Sequence, residues 1–161
     1  MLIVQKEGVL LKKTTLPFEN EGVLNPAAIR VGDDVHVFYR AVSTGNHSSI
    51  GYCKLHGALT LAQRNDVPIL FPQFDYESQG IEDPRITKID DLYYLTYTGY
   101  DGVNALGALA TSKDLIHWEK KGLIVPKITY DEFVRLAGAK GVLNPKYRRY
   151  NDQNQIGRAH V

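Results

Sequence analysis

The feature that most constrains the fold is an internal repeat with an offset of 58 residues. Asn25-Pro26 at the start of the first copy corresponds to Asp83-Pro84 at the start of the second. The further matched pairs are Arg30 with Lys88, Val31 with Ile89, Asp33 with Asp91, Val37 with Leu95, and Tyr39 with Tyr97. The repeat predicts that one structural unit occurs twice in the chain.

Each copy has the pattern of a β-hairpin. Residues 35–39 and 92–97 are rich in the β-branched and aromatic residues that strands favour. Gly32-Asp33 and Asp90-Asp91 separate them from the preceding apolar residues and have the composition of tight hairpin turns. Another strand is predicted at 49–54 in the first copy and at 106–111 in the second. We therefore expect three or four antiparallel strands in each copy.

Repeated all-β units of this size indicate a β-propeller. A single sheet of this kind cannot bury both of its faces and needs neighbouring copies arranged around an axis. We therefore predict an all-β fold, a partial β-propeller of about two blades plus part of a third. The alternative of two similar hairpins within one β-sandwich stays open.

Two later segments complete this description. Residues 112–119 are predicted to turn into a strand that carries Trp118 and closes the second blade. Between residues 130 and 140, Phe133 and Leu136 fall at helical spacing and Gly138 follows them, which predicts a short helical insertion.

The chain is short for a propeller of this period. Propellers have about four to eight blades, whereas a period of 58 residues allows fewer than three copies in 161 residues. We therefore interpret residues 1–155 as the N-terminal part of a single β-propeller domain. Residues 156–161 can be encoded by ATC GGA AGA GCA CAC GTC, which resembles a widely used sequencing adapter, so they are interpreted as a non-native tail.

Composition excludes several classes of protein. Nineteen Lys and Arg residues against 18 Asp and Glu residues leave a formal net charge of +1, so nucleic acid and anionic membranes are not expected partners. Cys53 is the single cysteine, which excludes an internal disulfide. The histidines lack metal-ligand spacing, so no metal is predicted. The N-terminus lacks the apolar run of a signal peptide, and a cytoplasmic location is expected.

The densest polar cluster is Glu82-Asp83-Pro84-Arg85. Pro84 is expected to hold Asp83 in extended geometry, while Glu82 and Arg85 hold its carboxylate in a hydrogen-bonded network that tunes its pKa. A carboxylate at the start of a blade can serve as the acid of glycosyl transfer. The alternative is that Asp-Pro only begins a turn, with Arg85 as the ion-pair partner of Asp83.

Three further residues are candidates because of their positions in the repeat. Asn25 corresponds to Asp83, so neighbouring blades should present both at equivalent places. Arg40 ends the second strand of its hairpin, where an arginine is ordinarily a solvated surface residue. Asp101 lies at the matching point of the second copy, where Asp-Gly is ordinarily only a turn.

Six motifs in order along residues 22–126 extend this pattern. They are Leu24-Asn25-Pro26-Ala27, Phe38-Tyr39-Arg40-Ala41, Ser49-Ile50-Gly51-Tyr52, Gly80-Ile81-Glu82-Asp83-Pro84-Arg85, Tyr97-Thr98-Gly99-Tyr100-Asp101-Gly102 and Ala108-Leu109-Ala110-Thr111-Ser112-Lys113-Asp114. Together they resemble glycoside hydrolase family 130. The resemblance implies a five-bladed β-propeller that acts on β-mannosides, in most members as an inverting phosphorylase that yields α-mannose 1-phosphate and in some as a hydrolase.

The resemblance also implies roles for the candidates. Asp83 would be the general acid and pass its proton to the glycosidic oxygen through a sugar hydroxyl. Asn25 and Arg40 would bind the transferred mannose, Asp101 would line the same cleft, and Glu82 and Arg85 would contribute to substrate binding. Inorganic phosphate would be the co-substrate, with no cofactor. The expected partners are a mannooligosaccharide or mannosyl-glucose substrate, phosphate and, in the full-length protein, a second copy in a homo-oligomer.

Residues 1–161 leave the type of reaction open. Leu106 and Val103 are apolar where the resemblance leads one to expect polar or basic residues. An inverting β-mannosidase of the same family is therefore one alternative, and a glycan-binding propeller without catalysis is another. The 161-residue chain by itself is expected to be inactive and poorly soluble, because two blades leave an open sheet edge and an uncovered apolar face.

Overall fold

The computed structural model describes residues 3–125 and Arg135, and residues 3–125 form eight β-strands in two units. The first unit is β1 (Gly22–Val31), β2 (Asp34–Ser43), β3 (His47–His56) and β4 (Thr60–Arg64). The second is β5 (Gly80–Ile89), β6 (Leu92–Tyr100), β7 (Ala105–Ser112) and β8 (Glu119–Leu123). Short 3₁₀ helices, Pro17–Glu19 and Asp75–Glu77, precede the two units. No helix in the described part is long and apolar enough to cross a membrane.

Both units are antiparallel meanders, as the repeat predicts. β1 and β2 are joined at Gly32-Asp33, and β5 and β6 at Asp90-Asp91, so both predicted hairpins are confirmed. The predicted third strands lie within β3 and β7. Trp118 differs from the prediction, because β8 begins one residue after it. The helix predicted between residues 130 and 140 lies outside the described residues except for Arg135.

The main apolar core lies between the two units. Phe38, Ile50 and Tyr52 on one face of the first unit pack with Leu95 and Tyr97 of the second. The alternation of buried and half-buried residues along β6 shows that one face of that strand is covered. Each unit therefore buries a face against its neighbour, which is the packing expected of propeller blades.

The opposite face of the first unit is only partly covered. Val37, Tyr39 and Leu55 form a second apolar cluster there. Beside them is a groove of about 320 Å³ whose lining includes Leu24 and Ala28. Val37 and Tyr39 correspond in the repeat to Leu95 and Tyr97, which the first unit buries. This partly covered face of the first unit thus corresponds to the face of the second unit that packs against the first.

A fully buried carboxylate lies at the base of each unit. Glu19 accepts hydrogen bonds from the Tyr39 hydroxyl at 2.8 Å and from Thr14 at 2.7 Å, and forms an ion pair with Arg64 at 2.8 Å. Arg64 also donates to the Lys12 carbonyl at 3.0 Å. The group connects the 3₁₀ helix to both the middle strand β2 and the outer strand β4.

The same arrangement recurs in the second unit. Glu77 accepts from the Tyr97 hydroxyl at 2.7 Å and pairs with Lys120 of β8 at 2.6 Å, and Lys120 also donates to the Phe71 carbonyl at 2.6 Å. Glu77 is fully buried and the Lys120 side chain is only 4% exposed. A buried charge is tolerated when it is paired and hydrogen-bonded, as both carboxylates are. We call each group of glutamate, tyrosine and basic residue a blade latch.

Removing one charge of a blade latch should be costly. Glu77→Gln leaves the Lys120 ammonium buried without its counter-ion, so the free energy of unfolding should fall by about 3–5 kcal/mol. Glu119→Gln is the matched control, because Glu119 pairs with Lys121 at the surface and should lose less than about 1 kcal/mol. Urea unfolding of both variants measures the difference. Equal losses in the two variants would contradict a role for the latch.

The latches should also make stability depend on alkaline pH. Burial raises the pKa of Tyr97, and its hydrogen bond to Glu77 raises it further. The unfolded chain loses the phenolic proton near pH 10, whereas the folded chain keeps it to higher pH. Stability should therefore fall as pH rises above about 10, and Tyr97→Phe should reduce this slope. Urea midpoints from about pH 8 to about pH 11 measure it, and an unchanged slope in the variant would refute the assignment.

Candidate active site

Each unit has a β-bulge at its Asn-Pro or Asp-Pro pair. Asn25 and Pro26 together lie opposite Tyr39, because the pairing of β1 with β2 shifts between Leu24 and Ala27. The second unit repeats this, with Asp83 and Pro84 opposite Tyr97. Two residues opposite one define a bulge, a feature that often re-aims side chains at functional sites. Both bulges thus lie opposite the tyrosine of a blade latch.

The bulges place Asn25 and Asp83 in the left-handed region, with φ of +45° and +50°. The extended geometry expected for Asp83 is therefore wrong. The restriction from Pro84 is local, and the need to rejoin the register after the bulge overrides it. Asn and Asp occupy left-handed backbone more readily than other residues with a Cβ atom, and proline withholds a donor that the bulge leaves unpaired. These residue types suit the bulge as well as the predicted chemistry.

The two bulges bring Asn25 and Asp83 together. The Asn25 amide donates from Nδ2 to Oδ1 of Asp83 at 2.5 Å across the junction of the units. Asn25 is exposed and Asp83 half-buried, while Pro84 is fully buried. The Asp83 carboxylate therefore lies at the partly solvated junction of the units and accepts a hydrogen bond from the neighbouring unit.

Arg40 and Glu82 form a second contact between the units. Arg40 Nη2 lies 2.7 Å from Glu82 Oε1, and the two side chains are only 16% and 20% exposed. Arg40 Nε donates to Ser48 Oγ at 2.8 Å. β2 continues to Ser43, so the prediction that Arg40 ends the strand is wrong, and the residue is not a solvated surface arginine. Its partner in the register is Leu24, next to Asn25.

Arg85 does not join this group. It is exposed and donates from Nη1 to the Pro84 carbonyl at 2.8 Å. Within residues 3–125 the structure has no ion pair between Arg85 and Asp83, so that predicted pairing is wrong. Because of the bulge, Asp83 and Pro84 share one register position, so Asp83 and Arg85 are one position apart instead of two. Neighbouring positions of a strand face opposite sides of the sheet, which separates the two side chains. Asn25 holds Asp83 instead.

Asp101 accepts hydrogen bonds within the loop between β6 and β7. One carboxylate oxygen accepts from the backbone N–H of Val103 at 2.9 Å and of Asn104 at 2.6 Å, and the other accepts from the Asn104 side chain at 2.9 Å. Leu106 is 3% exposed and belongs to the interior, whereas Val103 is exposed. The place of Asp101 in a substrate cleft stays a prediction.

Ser48 and Gly80 are site residues that the sequence analysis missed. β3 and β5 meet in one parallel pair at these positions. A Cβ atom on Gly80 would lie 2.7 Å from the Ser48 backbone nitrogen, and Gly80 has a φ of +140°, so only glycine fits there. Ser48 is buried beside Arg40. Its signal in the sequence is weak, because the contact depends on the register of β2 with β3. We name Asn25, Arg40, Ser48, Glu82 and Asp83 the seam cluster.

The seam cluster combines one presented carboxylate with amide and guanidinium donors. Such a set can supply a proton to a leaving oxygen while donors hold hydroxyl or phosphate oxygens. Among the described residues there is no group of three or more His, Cys, Asp or Glu side chains that could hold a metal ion. The role of these residues in acid catalysis stays a prediction.

The two units are blades of the five-bladed propeller type found in carbohydrate-active enzymes, and the propeller prediction is confirmed for them. The part of a third blade falls outside the described residues. The chain belongs to glycoside hydrolase family 130, because residues 6–153 match the family model described as beta-1,4-mannooligosaccharide phosphorylase. The resemblance noted in the sequence is thereby confirmed.

Two curated relatives come from Thermoanaerobacter sp. (strain X514). A 1,2-beta-oligomannan phosphorylase is 35% identical over 156 residues, which cover 89% of this chain and 52% of the relative. A beta-1,2-mannobiose phosphorylase is 35% identical over 71% of this chain and 43% of the relative. A glycosyl hydrolase from Bacteroides ovatus has a similar structure, with a TM-score of 0.61 and 29% identity over 79% of this chain and 40% of that one. The chain spans about half the length of the curated relatives it matches.

The left-handed bulge predicts which residues position 83 tolerates. Asp83→Asn keeps an acceptor for Asn25 and a residue suited to φ of +50°, so the free energy of unfolding should change by less than about 0.5 kcal/mol. Asp83→Ala should lose about 1–2 kcal/mol from backbone strain. Asp33→Ala, at an exposed turn residue without left-handed backbone, is the control and should be near neutral. Equal stability of the two Asp83 variants in urea would show that the bulge imposes no such strain.

Proposed function

We propose that the full-length gene product carries out inverting phosphorolysis of β-mannosides and yields α-mannose 1-phosphate, with Asp83 as the proton donor. The observation that carries this proposal is the Asn25–Asp83 contact, which presents one carboxylate at the junction of two blades. The family match and two curated relatives that are named as mannan and mannobiose phosphorylases support the reaction type.

The reaction needs one protein acid. A phosphate oxygen attacks the anomeric carbon from the face opposite the leaving group, and the bond from that carbon to the glycosidic oxygen breaks. The leaving oxygen receives a proton that originates from Asp83, relayed through a sugar hydroxyl. Water as nucleophile would need a second carboxylate as base, whereas phosphate already carries negative charge. Asn25 orients the acid, and Arg40 donates hydrogen bonds to oxygens of the bound mannose.

The proposal includes the linkage. Both curated relatives act by name on β-1,2-linked mannosides, at 35% identity. The family description names the β-1,4 linkage. We propose β-1,2-mannobiose and longer β-1,2-mannooligosaccharides as the substrates, with inorganic phosphate as co-substrate and no cofactor.

One observation favours a second candidate, an inverting β-mannosidase. Leu106 is buried and Val103 is apolar, so neither position supplies a phosphate ligand. The similar structure from Bacteroides ovatus is named a glycosyl hydrolase. In this alternative Asp83 keeps its role as acid, and a carboxylate from elsewhere in the full-length protein activates water.

Incubation of the full-length protein with β-1,2-mannobiose and β-1,4-mannobiose, with and without phosphate, separates the candidates. Mannose 1-phosphate formed only with phosphate supports the phosphorylase, and free mannose formed regardless of phosphate supports the hydrolase. Binding of the glycan without turnover would indicate a binding propeller. Turnover of β-1,4-mannobiose without turnover of β-1,2-mannobiose would refute the proposed linkage.

Asp83→Asn should lower the turnover number by at least about a hundredfold, because general acid catalysis contributes about 10²–10⁴-fold. Asp90→Asn is the matched control, since Asp90 is an exposed turn residue with left-handed φ of +53° at the other end of β5. Its activity should equal that of the wild-type protein. If the Asp83→Asn variant keeps more than a tenth of the wild-type turnover number, Asp83 is excluded as the general acid.

A further inference from the structure

The Arg40 guanidinium is held by two residues from different blades. Ser48 lies on β3 of the same blade, two residues before Ile50, the register partner of Arg40, and therefore on the same face of the sheet. Glu82 lies on β5 of the next blade. Nε is 2.8 Å from the Ser48 hydroxyl oxygen and Nη2 is 2.7 Å from a Glu82 carboxylate oxygen. Two of the three guanidinium nitrogens are thus bound at separate points.

The positions of both partners are themselves restricted. Ser48 is 2% exposed and pairs with Gly80, where the two blades approach too closely for any side chain. Glu82 is the last paired residue of β5 before the bulge that contains Asp83. Neither partner can move far without disturbing the junction. The contacts to Arg40 are therefore set by the backbone of the two blades.

The third guanidinium nitrogen, Nη1, carries two further N–H donors. Arginine presents its donors in a planar fork that suits oxygen anions and vicinal hydroxyls. Fixing Nε and Nη2 also fixes the direction of the Nη1 donors, since all three nitrogens share one plane. The rotational freedom of the long side chain is then lost before a ligand arrives, which is the advantage of preorganisation.

We propose that Glu82 and Ser48 are positioning residues that hold Arg40 ready to bind substrate oxygens, and that neither of them touches the substrate itself. This inference rests on the proposed function for the identity of the substrate. It gives Glu82 a task different from supporting the Asp83 carboxylate. It also explains why two consecutive residues of β5, Glu82 and Asp83, each contact a different residue of the first blade.

A double-mutant cycle on the full-length protein tests this. Glu82→Gln should lower kcat/KM for β-1,2-mannobiose by up to about a hundredfold, the loss that a misplacement of about 1 Å can cause. In an Arg40→Ala background the same substitution should change kcat/KM by no more than about twofold. Ser48→Ala should show the same dependence on Arg40. Glu119→Gln, an exposed carboxylate on β8, is the control and should keep wild-type kinetics in both backgrounds.

A second measurement reports on Arg40 without turnover. The side-chain Nε–H resonance of Arg40, identified by its absence in Arg40→Lys, should have the relaxation of a rigid group in the wild-type protein. It should become mobile in Glu82→Gln and in Ser48→Ala, and stay rigid in Glu119→Gln. A mobile Arg40 in the wild-type protein would overturn the inference.

The outcomes separate the two proposals. An active wild-type protein in which the loss from Glu82→Gln persists undiminished in Arg40→Ala would overturn the positioning role and leave the proposed function intact. A wild-type protein without turnover of any β-mannoside would refute the proposed function, and a rigid Arg40 that becomes mobile in both variants would still support the positioning role. Wild-type kinetics in Glu82→Gln would overturn the positioning role of Glu82 directly.

Discussion

The buried carboxylates Glu19 and Glu77 are the contacts on which the rest of the structure depends. Each takes its hydrogen bond from a tyrosine in the second strand of its blade and its counter-ion from the outer strand. Each tyrosine also lies opposite the bulge of the first strand. Because an unpaired buried charge is strongly unfavourable, loss of one partner should destabilise the whole group. The latch therefore fixes the position of this tyrosine in the second strand, and the bulge of the first strand lies opposite it.

The junction between the blades joins this framework to the site. The apolar cluster that includes Phe38, Tyr52 and Leu95 favours packing of the sheets, since it removes large side chains from water. Polar contacts at one end of the junction, Asn25–Asp83 and Arg40–Glu82, then determine which functional groups face each other. A single blade could form neither contact. The chemistry proposed for the full-length protein would therefore depend on the pairing of these two blades.

Much of the fold and part of the site could be predicted from the sequence. Short runs of β-branched and aromatic residues between Gly and Asp turns predicted both hairpins, and the repeat paired Asn25 with Asp83. The backbone of Asp83 was mispredicted, because the Pro84 rule considers one neighbour and the bulge depends on the partner strand. Glu19 and Glu77 share the offset of the repeat, so aligning the copies further toward the N-terminus would have found the latch. Ser48 had no such signal, because its counterpart Leu106 is apolar.

The sequence by itself determined the strands, the turns, the repeat and the residue types at each bulge, because these depend on propensities and spacings among near neighbours. Only the tertiary structure decided which charges meet. Arg85 follows Asp83 closely in sequence yet binds the Pro84 carbonyl, whereas Arg40 binds Glu82 from another blade. The physical reason is that side-chain pairing across a junction depends on how two sheets pack and on the direction in which a bulge turns a residue. Neither the packing of the two sheets nor the direction of the bulged residue can be read from the local sequence pattern of one strand.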